Sequence, residues 1–262
     1  MANAKKTIII TGASSGLGAA LAIKYSASGN NLFLIARSEE RLNKVAEKCR
    51  GNGANVTNII VDITDADAMQ SHIEEIAGQY KIDIVVACAG ISAGTLDGPE
   101  TTMQTNKIFA TNLGGVLNTI LPVLPHMIQM QSGNIVIVSS MAGFLGLSSA
   151  PSYSASKGAA RLFGQALQGY LKAYNVYVST VIPGYIKTPM TAVNAFPMPF
   201  MLSADKAASK IVRGVARNKN VIAFPLIMLF FLKLLTLFPS SLISYINSKL
   251  PGKPAFDKSS SK

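Results

Sequence analysis

The chain has 262 residues, 49% of them hydrophobic, and a formal net charge of +11. This suits one large α/β domain with an ample core, while two cysteines (Cys49 and Cys88) and no Cys/His cluster exclude a disulfide scaffold and predict no metal. The charge is uneven: from Asp205 onward ten Lys/Arg stand against Asp205 and Asp257, which places +8 of the +11 there. The apolar neighbours of these lysines favour anionic lipid over nucleic acid as their partner. The opening MANAKKTIII has too short an apolar run for a signal peptide, so the reading is a reducing, cytoplasmic setting, with peripheral membrane contact left open.

Residues 7–11 (TIIIT) are a short β-branched run fit for a strand buried on both faces. They lead at once into Gly12-Ala13-Ser14-Ser15-Gly16-Leu17-Gly18 and then a helical pattern that Gly29 stops. A strand, a glycine turn and a helix N-terminus make a pyrophosphate site, because glycine lets the backbone approach while free N–H groups and the helix dipole meet the negative charge. The second strand, residues 31–36, ends at Arg37, where an NAD-selective site would place an acidic residue. Arg37 suits a ribose 2′-phosphate instead, with Ser38 beside it as a donor, so the expected cofactor is NADP(H).

Residues 56–61 read as a third strand ending at Asp62, placed to meet an adenine edge, and Asp65 caps a helix running to Gly78. Residues 82–87 read as a fourth strand, closing on Cys88-Ala89-Gly90, whose small side chains let a cofactor lie on the backbone. A long helix is predicted over 103–130, carrying Asn112, and a fifth strand over 135–139. A helix over 152–174 and a sixth strand over 176–182, running into Pro183-Gly184, follow. Strands alternating with helices at this spacing predict a doubly wound parallel sheet of the Rossmann type, with ligands outside the strand C-termini.

Between the fifth strand and the next helix lies SSMAGFLGLSSAPSYSASK, which offers Ser140, Tyr153 and Lys157. If Pro151 opens a helix, Tyr153 and Lys157 stand one turn apart on one face. A cation beside a phenol lowers its pKa from about 10 toward neutrality, which suits proton exchange with a carbonyl or alcohol oxygen. Ser140, at a strand end, can hydrogen-bond the same oxygen. A Tyr-x-x-x-Lys pair alone is most often a solvated helix face. The upstream serine and the glycine turn are what lift it.

On these residues the chain resembles the short-chain dehydrogenase/reductase family over roughly residues 5 to 190. The motifs are TGASSGLG, Asp62, the CAG end of strand four, Asn112, Ser139-Ser140, YSASK and PGYIKTPM. The resemblance implies a catalytic tetrad: Tyr153 as acid/base, Lys157 lowering its pKa and holding the nicotinamide ribose, Ser140 polarising the substrate oxygen, and Asn112 supporting a water-linked proton relay. It also implies cofactor contacts at Pro183, Gly184, Ile186 and Thr188, a mobile lid over the substrate, and a homodimer or homotetramer. One departure is Ala87-Cys88 where the family has two asparagines, which puts the local bracing of the cofactor's surroundings in question.

Residues 1–224 read as the catalytic domain, with a lid at about 190–217 that includes the apolar TAVNAFPMPFML. Ser203 caps a basic helix to Arg217, and residues 221–224 read as a last strand. Residues 225–252 read as an apolar helical extension and 253–262 as a polar tail without fixed structure. The thirteen residues between Pro225 and Pro239 make at most about 20 Å of helix, short of a ~30 Å hydrocarbon core. They therefore lie in a membrane interface, pack at a subunit interface or substrate portal, or form buried core. The expected function is NADPH-dependent reduction of a lipophilic carbonyl of lipid, acyl-chain or steroid-like type. The rivals are reduction of a 3-oxoacyl thioester on a carrier protein and, from another class, an NADP(H)-binding sensor or membrane-tethered scaffold.

Overall fold

The computed structural model describes residues 5–249 and 252–255. Nine strands form among them: β1 (Thr7–Thr11), β2 (Asn31–Ala36), β3 (Asn55–Ile60), β4 (Ile84–Ala87), β5 (Gly133–Val138), β6 (Val176–Pro183), β7 (Ile186–Lys187), β8 (Leu202–Ser203) and β9 (Val221–Phe224). Seven make one parallel sheet in the order β3-β2-β1-β4-β5-β6-β9, and β7 pairs with β8 apart from it. The order reverses between β1 and β4, where their helices diverge to opposite faces and open a crevice.

The two faces are fed by alternation. Ile8 and Ile10 point into one core with helices α1 (Gly16–Tyr25) and α2 (Glu39–Gly51), while Ile9 points into the other with α3 (Ala66–Gln79). All three isoleucines are fully buried, each contributing roughly 1.5–3 kcal/mol. Asp65 caps α3 by accepting from the Ala68 N–H at 3.0 Å. Strand four begins two residues later than the sequence suggested, because Asp83 turns its carboxylate to the Thr7 N–H at 2.8 Å.

The predicted 103–130 helix is broken. It comprises α4 (Thr102–Phe109), a π-type turn (Ala110–Gly114), α5 (Gly115–Ile120), a 3₁₀ turn holding Pro122, and α6 (Leu124–Gln129). Pro122 and Pro125 cannot donate to the helical ladder, and the widened turn carries Asn112. This 28-residue run has the length and composition of a membrane span, yet Val116, Ile120, Val123 and Met127 are buried in the sheet's core and Ile108 is fully buried beside them in sequence. It is a core helix.

Pro151 is the first residue of α7 (Pro151–Tyr170), which closes in a 3₁₀ turn through Tyr174. Beyond β6, the short α8 (Pro189–Ala192) leads to α9 (Ala204–Val215), whose Ala207, Ala208, Ile211 and Val215 pack with α1 in the first core. Half of the expected lid is thus fixed in the fold, which leaves roughly residues 189–201 free for that role. Helices α10 (Leu226–Leu235) and α11 (Ser240–Ser248) follow β9. In α10 only Leu229 is buried, against Met141 and Ile182, so the buried-core reading of 225–239 is overturned. Residues 253–255 are not a free tail but are hydrogen-bonded to the loop after β4; residues 256–262 lie outside the described region.

Candidate active site

One cleft runs along the C-terminal ends of β1, β2, β4, β5 and β6. At its floor is the glycine turn. Gly12 has φ +69°, and a Cβ there would lie 2.8 Å from the Ala89 Cα; one at Gly18 would collide with the Gly12 carbonyl. The turn is therefore packed as tightly as backbone allows, and Ser14, Ser15, Gly16 and Leu17 line the cleft above it. Ser15, the N-cap of α1, makes no side-chain cap bond, so the helix's first N–H groups face the cleft without an internal acceptor. A cradle of this shape fits a dinucleotide pyrophosphate.

At one end of the cleft stand Arg37, Ser38 and Asp62. The Arg37 guanidinium donates to Asp62 at 3.2 Å, an exposed pair that joins two of the expected cofactor residues. Partial burial pushes Asp62 up, but the Thr64 N–H and hydroxyl, with Arg37 behind them, outweigh it and hold the carboxyl below its usual range. Arg41, one turn into α2, lines the same end. Sequence reasoning missed it, although a second arginine at i+4 from Arg37 was the available signal.

In the middle, Ala89 and Gly90 form the wall. The bracing that the absent asparagines left in question comes from Thr11. Its hydroxyl donates to the Val86 carbonyl at 3.3 Å and accepts from the Cys88 N–H at 3.2 Å. Cys88 itself lines the cleft, and burial pushes its thiol up to about 12, with Lys157 opposing.

At the other end Ser140, Tyr153 and Lys157 meet, with Pro183, Gly184, Ile186 and Thr188 opposite. Lys157 is 4% exposed, and its ammonium donates to the Val138 carbonyl at 2.9 Å. Burial pulls it down to about 8, with Cys88 opposing. Burial also pushes the Tyr153 phenol up, with a hydrogen bond from Ser140 opposing. The lowering of Tyr153 expected from Lys157 therefore does not set the phenol's pKa in this pocket; desolvation dominates.

Asn112 does not line the cleft. It is fully buried behind Gly90, accepting from the Ile91 N–H at 2.8 Å and donating to the Ile91 carbonyl at 2.9 Å and to Ser156 at 3.1 Å. Both amide hydrogens are spent in tying the loop after β4 to α7, which leaves only an oxygen lone pair for water. Thr188 closes a reciprocal cap with Thr191 at the start of α8, and its methyl sits where a Cβ on Gly16 would be 3.2 Å away. Lys253, from the chain's end, also reaches this region: its ammonium stands 5.9 Å from the Tyr153 ring centroid. No sequence motif announced it.

The comparisons with known proteins agree with this geometry. The sequence matches the short chain dehydrogenase family over residues 6–196. It is 34% identical over 221 residues to an uncharacterized oxidoreductase of Myxococcus xanthus, covering 84% of this chain and 87% of that one. It is 32% identical over 187 residues to the 3-oxoacyl-[acyl-carrier-protein] reductase of Thermotoga maritima, covering 71% and 76% respectively. The fold superposes on a short-chain dehydrogenase from Sphingobium yanoikuyae in complex with NADPH, with TM-score 0.79, 24% identity and 97% and 99% coverage. It also superposes on one from Mycobacterium paratuberculosis bound to NAD, with TM-score 0.74, 22% identity and 83% and 94% coverage. The family match over most of the chain and the 34% identity to an oxidoreductase covered to 84% and 87% show that this chain belongs to the short-chain dehydrogenase family of oxidoreductases.

Proposed function

We propose that the chain is an NADPH-dependent reductase of a lipophilic carbonyl compound. The observation that carries this is the convergence of Ser140, Tyr153 and Lys157 at one end of a cleft whose other end holds Arg37, Ser38 and Arg41. Two guanidinium groups and a hydroxyl suit a 2′-phosphate, and Arg37 keeps donors beyond the one engaged by Asp62. The Sphingobium neighbour with NADPH is in keeping with this, while the Mycobacterium neighbour holds NAD, so Arg37 is the residue on which the choice turns.

When bound, the nicotinamide cofactor supplies the hydride. Tyr153 gives its proton to the carbonyl oxygen, and its raised pKa keeps that proton in place until negative charge develops there. Ser140 donates a hydrogen bond to the same oxygen. The Lys157 ammonium, buried and aimed along the strand end, stabilises the phenolate left behind and is placed for the cofactor's ribose. Asn112 positions the β4 loop against α7 so that these groups stay in register.

The lipophilic substrate is supported by the segment 189–201, whose Met190 lines the cleft, whose Phe196 stacks edge-on to Tyr185 and whose Phe200 is 61% exposed. This segment is the proposed lid. Helix α10 adds Leu226, Ile227, Phe230 and Phe231, all more than half exposed, next to the basic face of Lys210, Arg213, Arg217 and Lys219. At about 15 Å this helix is too short to span, and it suits a membrane surface. A homodimer or homotetramer burying the same face is the competing outcome. The Thermotoga relative's name favours one second reading, a 3-oxoacyl thioester as substrate.

The test is NADPH oxidation by the full chain over ketones of rising chain length, with and without anionic liposomes, beside Tyr153→Phe. Rates that climb with chain length and again with liposomes, and that vanish in Tyr153→Phe while NADPH still binds, are expected. Unchanged turnover in that variant overturns the assignment.

A further inference from the structure

Three segments far apart in sequence converge above Tyr153, and one of them is the end of the chain. Residues 252–255 lie beside the loop after β4. The Gly94 N–H donates to the Pro254 carbonyl at 2.8 Å, the Leu96 N–H to the Lys253 carbonyl at 2.9 Å, and the Ala255 N–H to the Asp97 carboxylate at 3.0 Å. Gly94 has no room for a Cβ, because the carbonyls of Lys253 and Ser149 already occupy that space. Backbone groups of Lys253, Pro254 and Ala255 fix the register of this strap, and the Lys253 side chain turns inward.

Inward, the Lys253 ammonium donates to the Ser92 hydroxyl at 2.8 Å and to the Met190 carbonyl at 3.4 Å. Ser92 belongs to the β4 loop and Met190 to α8, so the lysine clasps the two walls of the cleft beside the phenol. Both partners are neutral, and no carboxylate among the described residues lies within ion-pair distance of it. A lysine serving only solubility would extend into water; this one is half-buried, and burial pulls its ammonium down to about 8. A desolvated cation with neutral neighbours lacks its natural counterion. Next to a site for a carbonyl carbon, that counterion has an obvious source in the substrate.

We propose that Lys253 is a specificity-determining residue that holds an anionic substituent, a carboxylate or phosphate, of the carbonyl substrate while the carbonyl oxygen faces Tyr153 and Ser140. With the apolar segment 189–201 beside it, the site is then built for an amphiphile: an acyl or similar chain carrying the ketone, with a negative group close to it. This rests on the carbonyl-reductase reading above and narrows its substrate class. The reduction itself is unchanged: the cofactor's hydride goes to the carbonyl carbon, Tyr153 supplies the proton, and the anion is a spectator held in place.

The experiment compares a medium-chain γ-oxo carboxylate, the matching alkyl-chain keto phosphate and the methyl ester of the oxo acid, which share the ketone and differ in charge. In wild-type protein kcat/KM for one or both anions exceeds that for the ester. In Lys253→Gln that preference falls by about 10- to 100-fold, the worth of a charge-assisted hydrogen bond, and Lys253→Arg restores most of it. Which anion shows the larger drop tells carboxylate from phosphate. If Lys253 merely tethers the strap, acid and ester lose activity together, the ratio stays put, and the proposal is overturned. Calorimetric binding of a saturated carboxylate of the same length, and of the corresponding alkyl phosphate, provides a readout free of turnover. If no ketone is reduced but binding of either anion still weakens in Lys253→Gln, the reductase reading fails and the anion site stands. If ketones are reduced with no anion preference and neither anion's binding depends on Lys253, the anion site fails and the reductase stands.

Discussion

The cleft has two walls that are held in different ways. One is made at the ends of the central strands: the glycine turn after β1, Thr11 bracing β4, and Lys157 reaching from α7 to the Val138 carbonyl. Its groups are buried and their hydrogen bonds run into the core. The other wall is assembled from residues 189–201 and the strap 252–255, on short backbone bonds between loops. Each wall carries a lysine, and burial pulls both ammonium groups down to about 8. Yet one lysine is 4% exposed on a twenty-residue helix, and the other hangs on a four-residue strap. In the proposed scheme the difference separates chemistry from selection: the first wall carries the reaction, and the second chooses the molecule.

The largest effect belongs to the first wall. Tyr153→Phe removes the group that gives up its proton to the substrate oxygen in the proposed scheme, and kcat falls by about 10²- to 10⁴-fold, measured by NADPH oxidation. Cofactor binding, followed by fluorescence titration, persists because the glycine cradle is untouched. A loss of both together would mean that the phenol is structural and would erase the division between the walls.

Next comes Arg37→Ala, at the far end of the same wall. Losing one guanidinium from a 2′-phosphate shifts the ratio of kcat/KM for NADPH over NADH downward by about 10- to 100-fold. A ratio that does not move would show that the Asp62 pair is all Arg37 does.

How much of this could be read beforehand also divides along the walls. The alternation of strands and helices, the glycine turn and the Tyr153–Lys157 pair were legible because local chemistry dictates them. A β-branched run must be buried, a backbone that touches Ala89 must be glycine, and a helix opened by Pro151 must align residues four apart. The break in the 103–130 helix was legible only in part, since Pro122 and Pro125 were visible but the π-type turn that seats Asn112 follows from its bonds to Ile91 and Ser156. The direction of the Tyr153 shift was misread because spacing reports a neighbour and not the depth of burial. Lys253 was illegible. A polar KPAF stretch has the composition of a free tail, and it is hydrogen bonds to residues more than 150 positions earlier, from Ser92 to Asp97, that bring it beside the cleft.

The paired lysines also predict a pH profile. Lys157 is cationic below about 8 and neutral above it. The charge that stabilises the developing phenolate is therefore present at pH 7 and lost as pH rises. In the reducing direction kcat/KM should be flat to about pH 8 and then fall about tenfold per unit, as a single deprotonation requires. Because Lys253 titrates in the same range, Lys253→Gln sharpens the comparison: the limb measured with the neutral ester should survive in that variant, since it belongs to Lys157. A limb that disappears with Lys253 would transfer the catalytic charge to the second wall.

The smallest effect tests how the second wall is held. Asp97 is exposed and accepts the Ala255 N–H at 3.0 Å, and that is the contribution of its side chain to the strap. Asp97→Ala removes about 1 kcal/mol of hydrogen bonding without touching the cleft, the sheet or Lys253 itself. If the strap owes its position to a few such bonds, it opens more often. The preference for an anionic over a neutral ketone then drops by about fivefold, while the melting temperature barely moves, since the core is unaffected. Were the strap instead locked as firmly as α7, the same substitution would leave the preference intact. Selectivity that responds to so slight a change on the surface, beside a catalytic lysine indifferent to it, is the behaviour expected of a wall that selects and does not react.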